Sequence, residues 1–164
     1  MDITWSLFPK YYRHLDIGRL AGIAAEAGLE SVNVMIRNGY WVSPEGFRKE
    51  LPIFVKSVKR EGLTAQYADI DFSIEHLLED PALLGVMADN GIKDFRLLYF
   101  RMKKEDKNIR SALSDARKFL ELLMPLCERY RMRAICQLHH NTLVSSPSAA
   151  WNLINGLPET CIGV

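Results

Sequence analysis

A short apolar run followed by a longer segment with helical spacing recurs along the whole chain, at intervals of about 30 residues. This alternation is typical of β-strands joined by crossover helices, and successive units of this kind form parallel sheets. The sequence therefore predicts an α/β protein with about five and a half βα units. The apolar runs are ITWSLF (3–8), SVNVMI (31–36), TAQYADI (64–70), DFRLLYF (94–100), RAICQL (133–138) and the beginning of a sixth, CIGV (161–164).

The segments between these runs carry helix start and stop signals. Ser or Asp followed by Pro is a common helix opening, and Gly is a common residue just past a helix end. Pro52 interrupts the second apolar stripe and predicts a kink or a helix in two pieces. The predicted helices are a stripe from Leu15 to Ala27 closed by Gly28, one opened by Ser43-Pro44, one between Asp80-Pro81 and Asn90-Gly91, one over Ile109–Tyr130, and one opened by Ser146-Pro147, with a further short helical turn at 74–78.

Two architectures fit this alternation. One is a partial (β/α)8 TIM barrel with its helices outside, and the other is an open doubly wound sheet. Both place functional residues at the carboxyl ends of their strands. A complete barrel takes roughly 250 residues, so the 164 residues here predict a single domain, 1–164, that is an incomplete barrel without its C-terminal strands.

Composition and motifs exclude several function classes. A net charge of +1 gives no reason to expect a nucleic acid partner. The N-terminal residues MDITWSLFPKYY are not expected to be a signal peptide. No apolar run approaches the roughly 18–20 residues that a membrane helix needs. Three widely spaced cysteines predict reduced thiols in a cytoplasmic protein. The chain also lacks GxGxxG and GxxxxGK[ST], so no nucleotide cofactor is expected.

Polar and aromatic side chains follow the ends of the predicted strands, where a ligand pocket is expected. Aromatic faces cover the C–H surface of a sugar, while amides and charged groups bind its hydroxyls or a phosphate. We therefore predict a site for a small polyhydroxylated or anionic ligand. The candidate substrate-binding residues are Arg37, Asp69, Tyr99, Arg101 and His140.

The fifth run is the most informative. The two-residue period of a strand puts Ile135, Gln137 and His139 on one face. The opposite face is apolar up to Leu138 and is expected to pack against helices. Gln137 and His139 are therefore predicted to face a shared cavity at the carboxyl rim.

These residues resemble the xylose isomerase-like TIM barrels, the sugar phosphate isomerase/epimerase family. The segments that carry the resemblance are EAGLESVNVMI (26–36), GLTAQYADIDFS (62–73), FRLLYFR (95–101) and, most specifically, AICQLHHNTLVSSPSAAWNLI (134–154). The resemblance implies proton transfer next to a sugar carbonyl, assisted by a divalent metal such as Mn²⁺, Mg²⁺ or Zn²⁺.

The resemblance also implies roles for individual residues. Gln137 matches the position of a metal-ligating carboxylate on the fifth strand. If the chain is an enzyme, we predict that His139 and Gln137 are catalytic and that His139 contacts the substrate or a metal-bound water. An amide is a weaker ligand than a carboxylate and cannot act as a base. The family's other metal ligands would lie beyond Val164.

Three functions stay open on the sequence alone: a sugar isomerase or epimerase, a sugar-binding module that does not catalyse, and a metal-dependent endonuclease. The near-neutral charge and the lack of a basic stripe disfavour the endonuclease. An unclosed parallel sheet exposes an edge, so a chain of this length is expected to form a homo-oligomer.

Overall fold

The computed structural model describes residues 3–102 and 108–164, which form two compact units. The first unit contains Met1–Asp71 and Val86–Asp94, and the second contains Phe72–Gly85 and Phe95–Val164. The polar stretch RMKKEDK (101–107), which the sequence predicts to be a solvated loop, lies mostly outside the described residues. Across the described part of the chain, no helix combines the length and apolar character needed to cross a bilayer.

Strands and helices alternate as the sequence predicts, and the α/β class is confirmed. The strands are β1 (Ser6–Leu7), β2 (Ser31–Val32), β3 (Val34–Ile36), β4 (Tyr67–Ile70), β5 (Asp94–Arg96), β6 (Arg133–Ile135) and β7 (Ile162–Gly163). The helices are α1 (Ile17–Glu26), α2 (Phe47–Arg60), α3 (Ile74–Glu79), α4 (Ala82–Asp89), α5 (Ile109–Tyr130) and α6 (Pro147–Ile154), with a 3₁₀ turn at Pro9–Tyr11.

The first unit is built on two parallel strand pairs. β1 pairs with β2, and β3 pairs with β4 so that Val34 lies opposite Ala68. The predicted run 31–36 forms two strands because its first part pairs with β1 and its second part with β4. The N–H of Asn33 still donates to Leu7, whereas that of Val32 donates to Thr64 on the other side. Apolar side chains of α1, α2 and these strands form the core of this unit.

Helix α2 differs from the prediction in where it begins and in its continuity at Pro52. It begins at Phe47 and not at Ser43-Pro44, because Ser43 accepts a hydrogen bond from the Gly46 N–H (2.9 Å) and closes a separate turn. The helix then continues through Pro52 as one element, so the predicted division into two pieces is not observed.

The second unit places β6 between two neighbouring segments. Ala134 of β6 lies opposite Ile162 of β7 in a parallel pair, and on the other edge the Leu97 N–H donates to the Ile135 carbonyl (3.0 Å). Asn108 caps α5 by accepting from the Ser111 N–H. The buried face of α5 packs in this unit's core and supplies Ala112, Ala116, Leu120, Leu123, Met124 and Cys127.

The prediction that the fifth run is one strand over 133–138 is wrong in its extent, because β6 ends at Ile135. The Cys136 N–H still donates to Gly163, but the next backbone hydrogen bond, His139 N–H to Val144, closes a local loop. Gln137 and His139 therefore follow the strand and do not lie within it. Leu138, expected to pack inward, is 38% exposed for the same reason.

Candidate functional site

The register of the second unit brings Tyr99 beside Gln137. The hydrogen bond from the Leu97 N–H to the Ile135 carbonyl aligns the two segments. Two residues further along, one segment reaches Tyr99 and the other reaches Gln137. There the Tyr99 hydroxyl donates to the Gln137 carbonyl oxygen Oε1 at 3.0 Å. The two residues are 38 positions apart in sequence, so the fold alone makes this contact.

The same tyrosine contacts His139. The ring centroids of Tyr99 and His139 are 4.5 Å apart, with an angle of 43° between the ring planes. Gln137 and His139 thus both meet Tyr99, although they follow β6 and do not lie within the strand. Their catalytic roles stay a prediction, because no contact here reveals a reaction.

A tight loop behind His139 fixes its imidazole. His139 N–H donates to Val144 (3.0 Å), the Thr142 hydroxyl donates to the His139 carbonyl (2.7 Å), and Asn141 takes a left-handed conformation with φ 57°. This turn brings the His140 carbonyl within 2.8 Å of His139 Nδ1. Since a carbonyl oxygen only accepts, Nδ1 is the donor in this contact, and Nε2 is the nitrogen that has a lone pair when the ring is neutral.

The imidazole of His140 lies against that of His139 and extends the aromatic surface. Their centroids are 4.3 Å apart and their planes differ by 25°. Three rings in succession, Tyr99, His139 and His140, therefore form one surface, which we call the Tyr99–His140 surface. His140 is exposed and His139 is half-buried, so the surface is accessible within its unit.

Two arginines flank the tyrosine. The guanidinium carbons of Arg96 and Arg101 lie 5.1 Å and 5.8 Å from the Tyr99 ring centroid. Arg101 was a predicted binding residue, whereas sequence reasoning missed Arg96, which is only 5% exposed. An arginine inside an apolar strand run is the signal that would have found it, because a buried charge requires partners.

The remaining two candidates belong to the first unit. Arg37 follows β3 and binds Asp71, with its Nε 3.0 Å from both carboxylate oxygens and Nη2 2.9 Å from Oδ1. Asp69 lies in β4 opposite Met35 and is 3% exposed. Within this unit the Arg37 guanidinium is already committed to a carboxylate, and Asp69 is a buried strand residue. Their substrate-binding roles stay predictions.

The second unit also contains a cavity of about 270 Å³ beside the candidate site. Tyr99 and Arg101 contribute to its wall, but Gln137 and His139 do not. The rest of the wall comes from α3, the segment after β5, α5 and Leu143. The cavity thus shares the Tyr99 side chain with the Tyr99–His140 surface but is a separate space. Its wall is mostly apolar where α5 contributes.

We tested whether the described residues fit the divalent metal that the resemblance implies. The Gln137 oxygen already accepts one hydrogen bond from the Tyr99 hydroxyl, and the Nδ1 contact of His139 with a backbone carbonyl leaves Nε2 as the ring nitrogen able to ligate. No group of three or more His, Cys, Asp or Glu side chains in the described part of the chain is arranged to hold a metal ion. Hard cations prefer carboxylate oxygens, so these residues do not by themselves fit the metal.

Comparison with known proteins identifies the fold. No protein-family model matches the sequence, and no curated protein does. Among solved structures, a protein from Sinorhizobium meliloti matches 98% of this chain and 62% of its own, with 14% identity and a TM-score of 0.74. A D-psicose 3-epimerase studied with D-fructose matches 92% and 60%, with 12% identity and a TM-score of 0.64. A xylose isomerase domain containing protein from Salmonella typhimurium matches 94% and 58%, with 13% identity and a TM-score of 0.62.

The chain is therefore an α/β protein of the TIM-barrel class. More narrowly, it has the fold of the xylose isomerase-like barrels, which confirms at the level of fold the resemblance found in the sequence. It spans about three fifths of the length of these structures. Sugar isomerases and epimerases are among its structural neighbours, and a mannonate dehydratase matches as well.

Proposed function

We propose that this chain is a sugar or sugar-phosphate isomerase- or epimerase-like barrel protein whose ligand binds at the Tyr99–His140 surface. The observation that carries the proposal is the double contact of Tyr99, whose hydroxyl binds Gln137 and whose ring lies against His139. A sugar has both an apolar C–H face and a set of hydroxyls. The site offers aromatic rings for the first and an amide and an imidazole for the second.

The charge of the site favours a ligand with an anionic group. The Arg101 guanidinium stands beside Tyr99, and a planar guanidinium binds phosphate or carboxylate oxygens through paired hydrogen bonds. A sugar phosphate is therefore expected to bind more tightly than the neutral sugar. Replacing Arg101 should remove this preference without removing the binding of the neutral sugar.

The proposed reaction moves a proton next to the sugar carbonyl. His139 Nε2, which keeps its lone pair, takes the proton from the carbon beside the carbonyl, and the carbonyl becomes an enediolate. Return of the proton to the neighbouring carbon, together with transfer of the hydroxyl proton to the former carbonyl oxygen, interconverts a ketose and an aldose. Inversion of the stereocentre instead requires that a second proton donor, such as solvent, deliver a proton to the opposite face. Neutral imidazole suits this task because its ordinary pKa lies near neutral pH.

A second candidate is a sugar-binding protein that does not catalyse. The observation that favours it is Gln137, which is neutral, cannot accept a proton near neutral pH and already binds Tyr99. The divalent metal implied by the resemblance remains a proposal for either candidate. If Mn²⁺, Mg²⁺ or Zn²⁺ binds, Gln137 and His139 cannot hold it alone, and further ligands are required.

Solvent deuterium exchange separates the two candidates. D-fructose, D-xylose and D-fructose 6-phosphate are incubated with the protein in D₂O, with and without added Mn²⁺, and the carbon-bound protons are followed by NMR. If the protein is an enzyme, deuterium should appear at the carbon next to the carbonyl. The rate of its incorporation should fall by about 10²-fold or more in His139→Ala. His14→Ala, which changes an exposed histidine of the first unit, is the matched control and should exchange normally.

Thermal stabilisation by a sugar without any exchange would reject catalysis and leave the binding protein. If no sugar stabilises the protein and none exchanges, both candidates are wrong.

A further inference from the structure

We infer that Tyr99 is a positioning residue that turns Gln137 and His139 into a matched donor and acceptor for one ligand hydroxyl. In this arrangement Gln137 binds the ligand directly and does not ligate a divalent cation. The inference deepens the proposed function by naming the chemical group that the site recognises. Of its three tests, only the titration with D-fructose 6-phosphate rests on the proposed function.

The first half of the pair is the Gln137 amide. Its oxygen accepts the Tyr99 hydroxyl at 3.0 Å, so the hydrogens of Nε2 remain for another partner. Within the described residues, Nε2 makes no further hydrogen bond, and the side chain is exposed. Gln137 is therefore oriented with its NH₂ available as a donor, while its oxygen, which already accepts one hydrogen bond, is a weaker metal ligand than a carboxylate.

The second half is the imidazole of His139. Its Nδ1 proton is held by the His140 carbonyl at 2.8 Å, and its ring is held between those of Tyr99 and His140. Nε2 is left as an acceptor, and in the described part of the chain no side chain donates to it. The ring is thus fixed both in tautomer and in orientation.

Together the two nitrogens form a complementary pair. A hydroxyl is the common sugar group that donates one hydrogen bond and accepts others. It can donate to His139 Nε2 and accept from Gln137 Nε2 at once. A divalent cation finds at Gln137 a neutral oxygen that already accepts one hydrogen bond, which is a weak ligand for a hard cation. A carboxylate at 137 would reverse this, because it accepts only.

The protein without ligand tests the arrangement directly. Nitrogen-15 NMR of the imidazoles should show protonated Nδ1 and unprotonated Nε2 at His139, and the Gln137 NH₂ should exchange rapidly with water. Tyr99→Phe should shift the Gln137 side-chain signals and broaden those of His139, whereas Tyr11→Phe, an exposed control, should leave both unchanged. Protonation at Nε2, a slowly exchanging Gln137 NH₂, or no effect of Tyr99→Phe would overturn the inference.

Titration with Mn²⁺ alone tests the exclusion of metal. Gln137→Ala should leave any Mn²⁺ affinity of the protein unchanged, and Gln137→Glu should raise it. Absence of Mn²⁺ binding by the unmodified protein agrees with the inference. A tenfold or larger weakening in Gln137→Ala would show that the amide is a metal ligand and would contradict it.

Titration with D-fructose 6-phosphate tests recognition of the hydroxyl. Loss of the Tyr99 hydroxyl should weaken binding about threefold to tenfold, the effect of one hydrogen bond, and Tyr11→Phe should have no effect. If Tyr99→Phe binds as well as the unmodified protein, the inference fails and the proposed function stands. If the unmodified protein binds no sugar, the proposed function fails, and the NMR and Mn²⁺ results decide the inference.

Discussion

At the scale of single residues, the identity of residue 137 determines what the candidate site is able to do. A carboxylate there would be a metal ligand and a base, whereas the amide of Gln137 is a weaker ligand and cannot act as a base near neutral pH. The hydroxyl of Tyr99 then settles which end of that amide faces outward, since it occupies the oxygen at 3.0 Å. Because residue 137 is a glutamine and its oxygen binds Tyr99, the proposed proton transfer is assigned to the neighbouring His139.

The three cysteines present a second residue-scale feature, because all of them are buried in the second unit. Burial, with a smaller contribution from Cys161, raises the pKa of the Cys127 thiol to about 12, although a hydrogen bond from the Ala134 backbone opposes the rise. Burial alone raises the pKa of Cys136 to about 12. Only a thiolate attacks a disulfide reagent, so both thiols should be inert near neutral pH.

We therefore predict that a colourless aromatic disulfide reagent labels Cys127 and Cys136 at pH 8 about a thousandfold more slowly than free cysteine, or only as fast as the protein unfolds. The rate should rise with pH up to about 12, because the thiolate fraction rises. The urea-unfolded protein is the control and should react at once. Native labelling as fast as that of free cysteine would contradict the assigned burial.

At the scale of elements, α5 and α6 are joined by one arginine. Arg117 of α5 donates from Nη1 to the carbonyls of Leu153 (3.1 Å) and Asn155 (2.8 Å), where α6 ends. These carbonyls have no partner within their own helix, and a cation also complements the negative helix C-terminus. Arg117 also binds Glu121 one turn along α5. Its guanidinium therefore caps α6 from a neighbouring helix.

Arg117→Ala is expected to lower the free energy of unfolding by about 1–2 kcal/mol, because two hydrogen bonds from a charged donor are lost at a partly exposed site. Urea denaturation measures the change. Arg110→Ala, an exposed arginine of the same helix, should change stability by less than about 0.5 kcal/mol. Equal effects of the two substitutions would mean that the cap contributes nothing.

Elements were predictable from sequence to the extent that local signals fix them. The bounds of α5 follow from its apolar period and its Asn108 cap, and Ser146 caps α6 as its Ser-Pro opening predicts. The end of β6 was not predictable, because the loop from His139 to Val144 is closed by hydrogen bonds between non-adjacent residues. The same holds for the start of α2, which depends on a turn closed by Ser43.

The candidate site was predictable only in part. The two-residue period placed Gln137 and His139 on one side, and the contacts of both with Tyr99 agree with it. The pairing of Tyr99 with Gln137 and the burial of Arg96 arise from long-range packing, which no local pattern encodes. The ion pair of Arg37 with Asp71 is of the same kind, since its partners are 34 residues apart.

At the scale of the whole molecule, the chain follows the xylose isomerase-like fold over 98% of its own length and 62% of the first matching structure. In the first unit, β1 is paired with β2 alone among the described strands. The exposed side chains of Ile3 and Trp5 lie just before β1. An uncovered strand edge beside apolar side chains favours association.

We therefore predict that this 164-residue chain forms a homo-oligomer, which sedimentation velocity measures as a function of concentration. Trp5→Lys places a charge beside the edge and should shift the equilibrium toward the monomer. Tyr11→Lys, which changes another exposed aromatic residue, is the control. A monomer at every concentration, with no difference among the three proteins, would contradict this prediction.

The central claim is that a sugar binds against Tyr99, Gln137 and His139, and chemical-shift mapping by NMR tests it most directly. On titration with D-fructose 6-phosphate, the signals of these three residues should move together and saturate at one common dissociation constant. Saturable shifts confined to Ala112, Phe119 and Leu143 would place the ligand in the neighbouring cavity, and that result, or no saturable shift at all, would contradict the account.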